Sequence, residues 1–510
     1  MMKHQKKAIV ISYMNLLMGM VVNVFITPML IVMLGDVDYS LYKVMHSFAG
    51  PLSMFHLGIS TVVTRSIVKC SSSEEYSEKD KRNTMALALI ASVLMALFVI
   101  AIAVAMYFLI PELYGDTYSV DSLKTGQHIF IMFVVGTVMH MLTDVFSGCI
   151  LGHERYVVSA AIPLVKTISK CILLIVLLKL NASVHFVVAV DMVLAVAAFL
   201  FSAIYAIAVL GEVPRLFSFD RHQLMEIMSF GLAILLQAFV NQVNNNVDTM
   251  ILGVYVSEKA IITMYASALT IYSIYNSLIS VISHYFLPKA TKLITNNASG
   301  RELTEFVIKP GRFQAAIAVA CILGFALFGR NFITIWIGTR YMDAYGVILM
   351  LMIPVTIPLV QNAMISVLDA AMKRLVRSIV LVVIAVLNVL VSVVLVRCIG
   401  FWGAAIGTML SLILGHGILM NIYYAREFGV EVFRMFAGIF RGVLPAGIVA
   451  AMICLPLAFS LPDTRMLFVL KCTSFVAIYF LCLILFGFNQ REKMLVVDFI
   501  RNLYKKVKAR

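Results

Sequence analysis

The stretch VNQVNNNVDTMILG (240–253) sits inside an apolar run from about 227 to 256. With Gln237 just ahead of it, Asn241, Asn244, Asn245 and Asp248 recur at intervals of three or four residues. On a helix that spacing makes one polar stripe. Hydrocarbon satisfies neither amides nor carboxyls, so the stripe must face protein or water. Two readings stand side by side: hydrogen bonds that glue helices together, and the lining of a polar cavity, which six polar groups on one helix favour. The frame recurs as VNVFITPMLIVMLG (22–35), again Val-Asn, ten residues, Leu-Gly. That first run has a thinner stripe in Ser12, Asn15, Gly19 and Asn23, and the run after 253 has Thr270, Ser273, Ser277, Ser280 and His284.

Composition agrees with a membrane interior. Of 510 residues, 62% are hydrophobic and only 13% charged, too little charge to cover a soluble surface. Fourteen apolar runs are long enough to cross hydrocarbon: about 8–33, 41–65, 84–110, 126–150, 156–179, 184–210, 227–254, 260–287, 313–337, 345–370, 377–397, 401–425, 437–460 and 465–488. The expected fold is therefore an all-α polytopic membrane protein of about fourteen transmembrane helices. The first run is expected to be a retained span, because it is too long for a signal-peptide core and has no small-residue cleavage site.

The net charge of +14 is distributed by loop and not gathered in a basic domain, which argues against a nucleic-acid partner. The N-terminus and the even-numbered loops hold 29 Lys and Arg, the odd-numbered loops 7. The positive-inside rule then places both termini in the cytosol. The repeated frame, with the same span parity, predicts two pseudo-symmetric six-helix lobes, 1–210 and 227–430. A linker at 211–226 (GEVPRLFSFDRHQ and the residues after it) joins them, and 431–510 holds two further helices and a basic tail suited to anionic lipid.

Charges inside spans narrow the candidate sites. Lys166 and Lys170 lie one turn apart in the middle of the fifth span, where a lysine costs on the order of 3 kcal/mol. Either they snorkel to the cytosolic interface or they meet an anion such as a phosphate. Asp144, Asp191, Asp248 and Asp369 are in-span acids; Asp144 is placed to pair with a lysine of the fifth span, and Asp144 and Asp248 are candidates for a coupling ion. Arg65 closes the second span, as a headgroup anchor or at a cavity mouth. Histidines such as 46 and 140 stand singly on apolar helices and read as core residues, while His284 extends a polar stripe. Eight scattered cysteines form no CxxC pair or metal cluster. No nucleotide-binding loop, nucleophile elbow or zinc-protease motif is present, so neither an enzyme nor a cofactor is expected.

Three passages resemble the Wzx-type polysaccharide flippases, within the multidrug/oligosaccharidyl-lipid/polysaccharide (MATE-like) exporter superfamily. They are MLGDVDYSLYKVMHSFAG (33–50), FHLGISTVVTRSIVK (55–69) and QVNNNVDTMILGVYVSEKAIITMYASA (242–268). The resemblance implies alternating-access transfer of a polyprenyl-diphosphate-linked oligosaccharide, such as a surface-polysaccharide or O-antigen repeat unit, across a bacterial inner membrane. It also implies membrane lipids and polysaccharide polymerase or assembly proteins as partners. On that reading Gln237, Asn23, Asn241, Asn245, Asp248, His284 and Arg65 would line the sugar cavity, and Lys166 and Lys170 would meet the diphosphate. His56 stands where the family has an acid. YMNLLMGM (13–20) lacks the Arg/Asp cluster of lipid II flippases, which argues against peptidoglycan precursor. Cation-coupled multidrug export remains the second reading.

Overall fold

The computed structural model describes residues 2–56, 59–72, 78–179, 183–219, 221, 225, 246–280, 286–371, 373–460, 464–490 and 492–494. Among them no strand occurs. Even the valine-rich VHFVVAVDMVLAVAAFLFSAI is helical, because a segment in hydrocarbon must satisfy its own backbone groups whatever its strand propensity. Among the described residues ten helices are long and apolar enough to span a membrane, eleven if the pair Ala344–Val360 and Ala363–Ala370, bent by 44°, is one span. The protein is an all-α, multi-pass membrane protein. Its surface agrees: Phe25, Val32, Phe433 and Met466 are among many large apolar side chains left exposed, as lipid-facing residues are.

The first of those helices, α1 (Met2–Leu52), covers the first expected span and just under half of the second. At 1.5 Å per residue it would run to about 75 Å, against a hydrocarbon thickness of about 30 Å. Gly35 breaks it with φ 69° and ψ 176°, a conformation essentially confined to glycine. The arm after Gly35 continues through a 3₁₀ turn (Ser53–His56) into α2 (Ile59–Ser72). The second span is therefore interrupted near residue 53, where sequence pattern gave an unbroken 41–65. Pro51 accounts for part of this, since proline carries no N–H for the helical ladder.

The chain divides into two compact units. The first comprises Met1–Ser267 with residues 392–404. Its helices α3 (Glu78–Tyr114), α4 (Val120–Gly152), α5 (Tyr156–Lys179) and α6 (Val184–Ile204) surround the arms of α1. Helix α4 is central and touches α1, α2, α3 and α6. The chain from residue 36 runs in step with it: Leu41 lies against Gly126, Ser60 against Gly148 and Ile67 against Gly152. The arm before Gly35 instead packs Asn15 on Thr167 of α5, and α5 returns antiparallel to α4. Gly35 thus divides α1 into two arms that pack on different neighbours.

The second unit comprises Ala268–Val391 and Ala405–Arg510. Its long helix Gly300–Trp336 opens with a capping box between Ser299 and Glu302. Two closing helical segments, at 432–458 and 465–487, are apolar enough to span, and they pack against Gly300–Trp336. Lys471, which interrupts the last span in sequence, is fully buried there.

Candidate functional site

Charged and aromatic side chains from α1, α4, α5 and α6 meet in the first unit. Lys166 and Lys170 are about 15 and 21 Å along α5 from its start, at 1.5 Å per residue. Lys170 Nζ donates to the Asp191 carboxylate of α6 at 2.8 Å. Lys166 Nζ contacts His140 Nε2 of α4 at 2.5 Å. Both ammonium groups are therefore engaged by neighbouring helices at that depth. Next to Lys166 in the chain, Thr167 donates to Asn15 Oδ1 at 2.9 Å.

The arm of α1 beyond Gly35 closes the cluster. Lys43 Nζ lies 5.5 Å from the centre of the Tyr39 ring and 6.0 Å from that of Tyr42, within the reach of a cation–π contact. Tyr42, His46 and Phe133 of α4 pack ring to ring at 5.4 to 6.3 Å. Tyr42 and His46 both feel the charges of Lys43, Lys170 and Asp191. Met45 and Ser47 on either side are buried, whereas His46 is exposed and Lys43, Lys166, Lys170, His140 and Asp191 are half-buried. The cluster thus keeps exposed surface along one side while its helices pack tightly behind it.

Its charge is unbalanced. Three lysines stand beside one contacting aspartate, in surroundings that weaken water's screening. Such a site attracts a multiply charged anion, and lysines act on phosphate as point charges. Among the described residues no group of three or more His, Cys, Asp and Glu is placed to hold a metal.

The acid on Lys170 is Asp191; Asp144, placed by sequence to pair with a lysine of the fifth span, lies one turn beyond His140 on α4. His46 and His140, read from sequence as core residues, belong to the cluster. Spacing held a clue, since Lys43/His46 and Lys166/Lys170 are each one turn apart on their helices. Asp248 is buried (2% exposed) and accepts a hydrogen bond from Tyr265 at 2.7 Å. Its neighbour Asn246 packs against Gly50, so this end of the asparagine run lies inside the packing of the first unit. Asn23 and Arg65 are exposed. Gln237, Asn241, Asn244, Asn245 and His284 lie outside the described residues. The second unit offers a different space, a cavity of about 330 Å³ lined by apolar and aromatic side chains such as Tyr275, Phe325 and Phe475; it presents no charge to an ionic ligand.

The family described as "Polysaccharide biosynthesis protein" matches residues 5–294, which include the whole cluster. Among solved structures, a lipid II flippase MurJ in an inward closed conformation is similar to the chain at a TM-score of 0.71 and 13% identity, covering 93% of this chain and 97% of that one. An inward-facing multidrug resistance MATE family transporter of the MOP superfamily follows at 0.62 and 14%, covering 83% and 99%. A Vibrio cholerae MATE transporter reaches 0.51 and 11%, covering 84% and 98%. No curated protein sequence matches the chain. At such identities the likeness is one of fold.

Proposed function

From the chain's membership of the polysaccharide biosynthesis protein family, we propose that it flips a polyprenyl-diphosphate-linked oligosaccharide from the cytosolic to the outer leaflet of a bacterial inner membrane. The observation that carries this reading is the half-open lysine cluster among apolar helices. A purely structural membrane subunit has no use for Lys43, Lys166 and Lys170 there, whereas a diphosphate headgroup crossing the bilayer needs compensation for its charge. Lys166 and Lys170 act on the diphosphate, Thr167 and Asn15 lie alongside to hydrogen-bond the adjoining sugar, and the polyprenyl tail stays in lipid. Transfer proceeds by alternating access of two lobes, 1–210 and 227–430, biased by a difference in substrate affinity between states. Polar residues of the 237–248 stripe serve the sugar portion, and both termini are cytosolic.

The test is deletion of the gene in its native host, with surface polysaccharide and retained polyprenyl-diphosphate oligosaccharide both quantified. Loss of the first with build-up of the second, reversed by the intact gene but not by Lys166→Ala/Lys170→Ala at equal expression, is the expected result. Unchanged polysaccharide with new sensitivity to cationic drugs would replace this reading with multidrug export, after which the multidrug resistance MATE family neighbour is named.

A further inference from the structure

We infer that Asp191 is an internal counter-anion: its carboxylate occupies Lys170 in place of the substrate's phosphate and is displaced when the substrate enters. The inference rests on the phosphate-binding reading above and adds a residue to it. Lys170 and Asp191 form an ion pair at 2.8 Å, yet the two side chains keep 31% and 25% of their exposure. A pair built only to hold α5 to α6 would be packed away completely; this one keeps exposed surface that a ligand can reach.

The groups around the pair explain why one carboxylate is a temporary partner. Tyr42, Lys43 and His46 face it from α1, His140 from α4, and Lys166 from the preceding turn of α5. Among these neighbours the fixed charges are cationic, and Asp191 neutralises only one of them. A diphosphate brings more negative charge and more acceptor oxygens than a carboxylate, so it competes successfully for Lys170 and engages Lys166 as well. After transfer, the carboxylate returning to Lys170 favours release. Asp191 is in this sense a positioning residue that keeps the site from holding its anion too tightly.

The inference is tested on the purified full chain with inorganic pyrophosphate as probe, at fixed ionic strength. Asp191→Asn is expected to bind pyrophosphate about tenfold tighter than the native protein, and Asp191→Glu to bind like it. Lys170→Met is expected to bind at least about tenfold more weakly, of the size usual for coupled sites. A carbodiimide should also form a zero-length Lys170–Asp191 cross-link in the native protein, detectable by mass spectrometry, and pyrophosphate should suppress it. This second measurement needs no variant and stands even if Asp191→Asn misfolds. Native cross-linking that pyrophosphate leaves unchanged, or an Asp191→Asn protein that is folded but binds no tighter, overturns the counter-anion role. If Lys170→Met binds pyrophosphate as well as the native chain, the phosphate-binding reading itself fails.

Discussion

Each unit of this protein contains an ion pair between helices, and the two pairs are built to opposite specifications. In the second unit Arg312 Nε and Nη2 donate to Glu492 at 2.7 and 3.0 Å, and its remaining donors reach the carbonyls of Gly438, Arg441 and Gly487. Both side chains are nearly excluded from solvent, at 5% and 12% exposure. All five guanidinium N–H groups are answered and both carboxylate oxygens accept, as a buried charge requires. In the first unit Lys170 and Asp191 are several times more exposed and carry surplus positive charge beside them. The arginine clasp fastens the last two spans to the Gly300–Trp336 helix. The lysine pair is left half-open and unbalanced, which suits exchange of partners.

The largest break in that contrast should come from Arg312→Ala. It strands the Glu492 carboxylate and three carbonyls, and breaking a buried pair costs about 3–5 kcal/mol. Thermal melting of the detergent-solubilised protein should fall sharply, and Arg312→Lys should rescue little because an ammonium cannot reproduce the guanidinium fork. Gly35→Ala comes next. Holding an L-residue at φ 69° and ψ 176° costs about 1–3 kcal/mol, and the loss should appear as a lower melting temperature, with Gly253→Ala failing instead by collision with Tyr114 and Val44. Lys166→Ala/Lys170→Ala sharpens the contrast from the other side. Partly exposed pairs contribute about 0–1 kcal/mol, so melting should barely move while oligosaccharide transfer is lost.

The smallest expected effect is a pH dependence at Lys259. Burial pushes its ammonium down to about 8. It lies 3.4 Å from the centre of the Tyr118 ring, and its Nζ finds no hydrogen-bond partner among the described residues. Between about pH 8 and the ordinary lysine value of about 10.4, the unfolded chain holds a proton that the folded chain has released. Stability should therefore rise slightly with pH across that window, and Lys259→Met should flatten the slope. The opposite sign belongs to Glu212. Its burial opposes ionisation, but hydrogen bonds from His153 and Lys81 outweigh that and hold the carboxyl below its usual range. Its contribution is lost as pH falls through that lowered value.

The two glycines of the repeated frame show where sequence reading stops. Identical spacing marks Gly35 and Gly253, yet Gly35 supplies a left-handed turn, while Gly253 stays helical and admits the Tyr114 ring. The sequence by itself determined the membrane class, the helical state of the described apolar runs and the placement of Lys166 and Lys170 one turn apart inside an apolar helix. Those follow from hydrophobic length and one-turn spacing, which are local properties of the chain. Only the tertiary structure decided that Asp191 holds Lys170, that Lys43, His46 and His140 join the cluster, and that Asp248 is packed against Tyr265. Those outcomes depend on how each helix is rotated about its axis against its neighbours, and rotation is fixed by packing between helices that are distant in sequence.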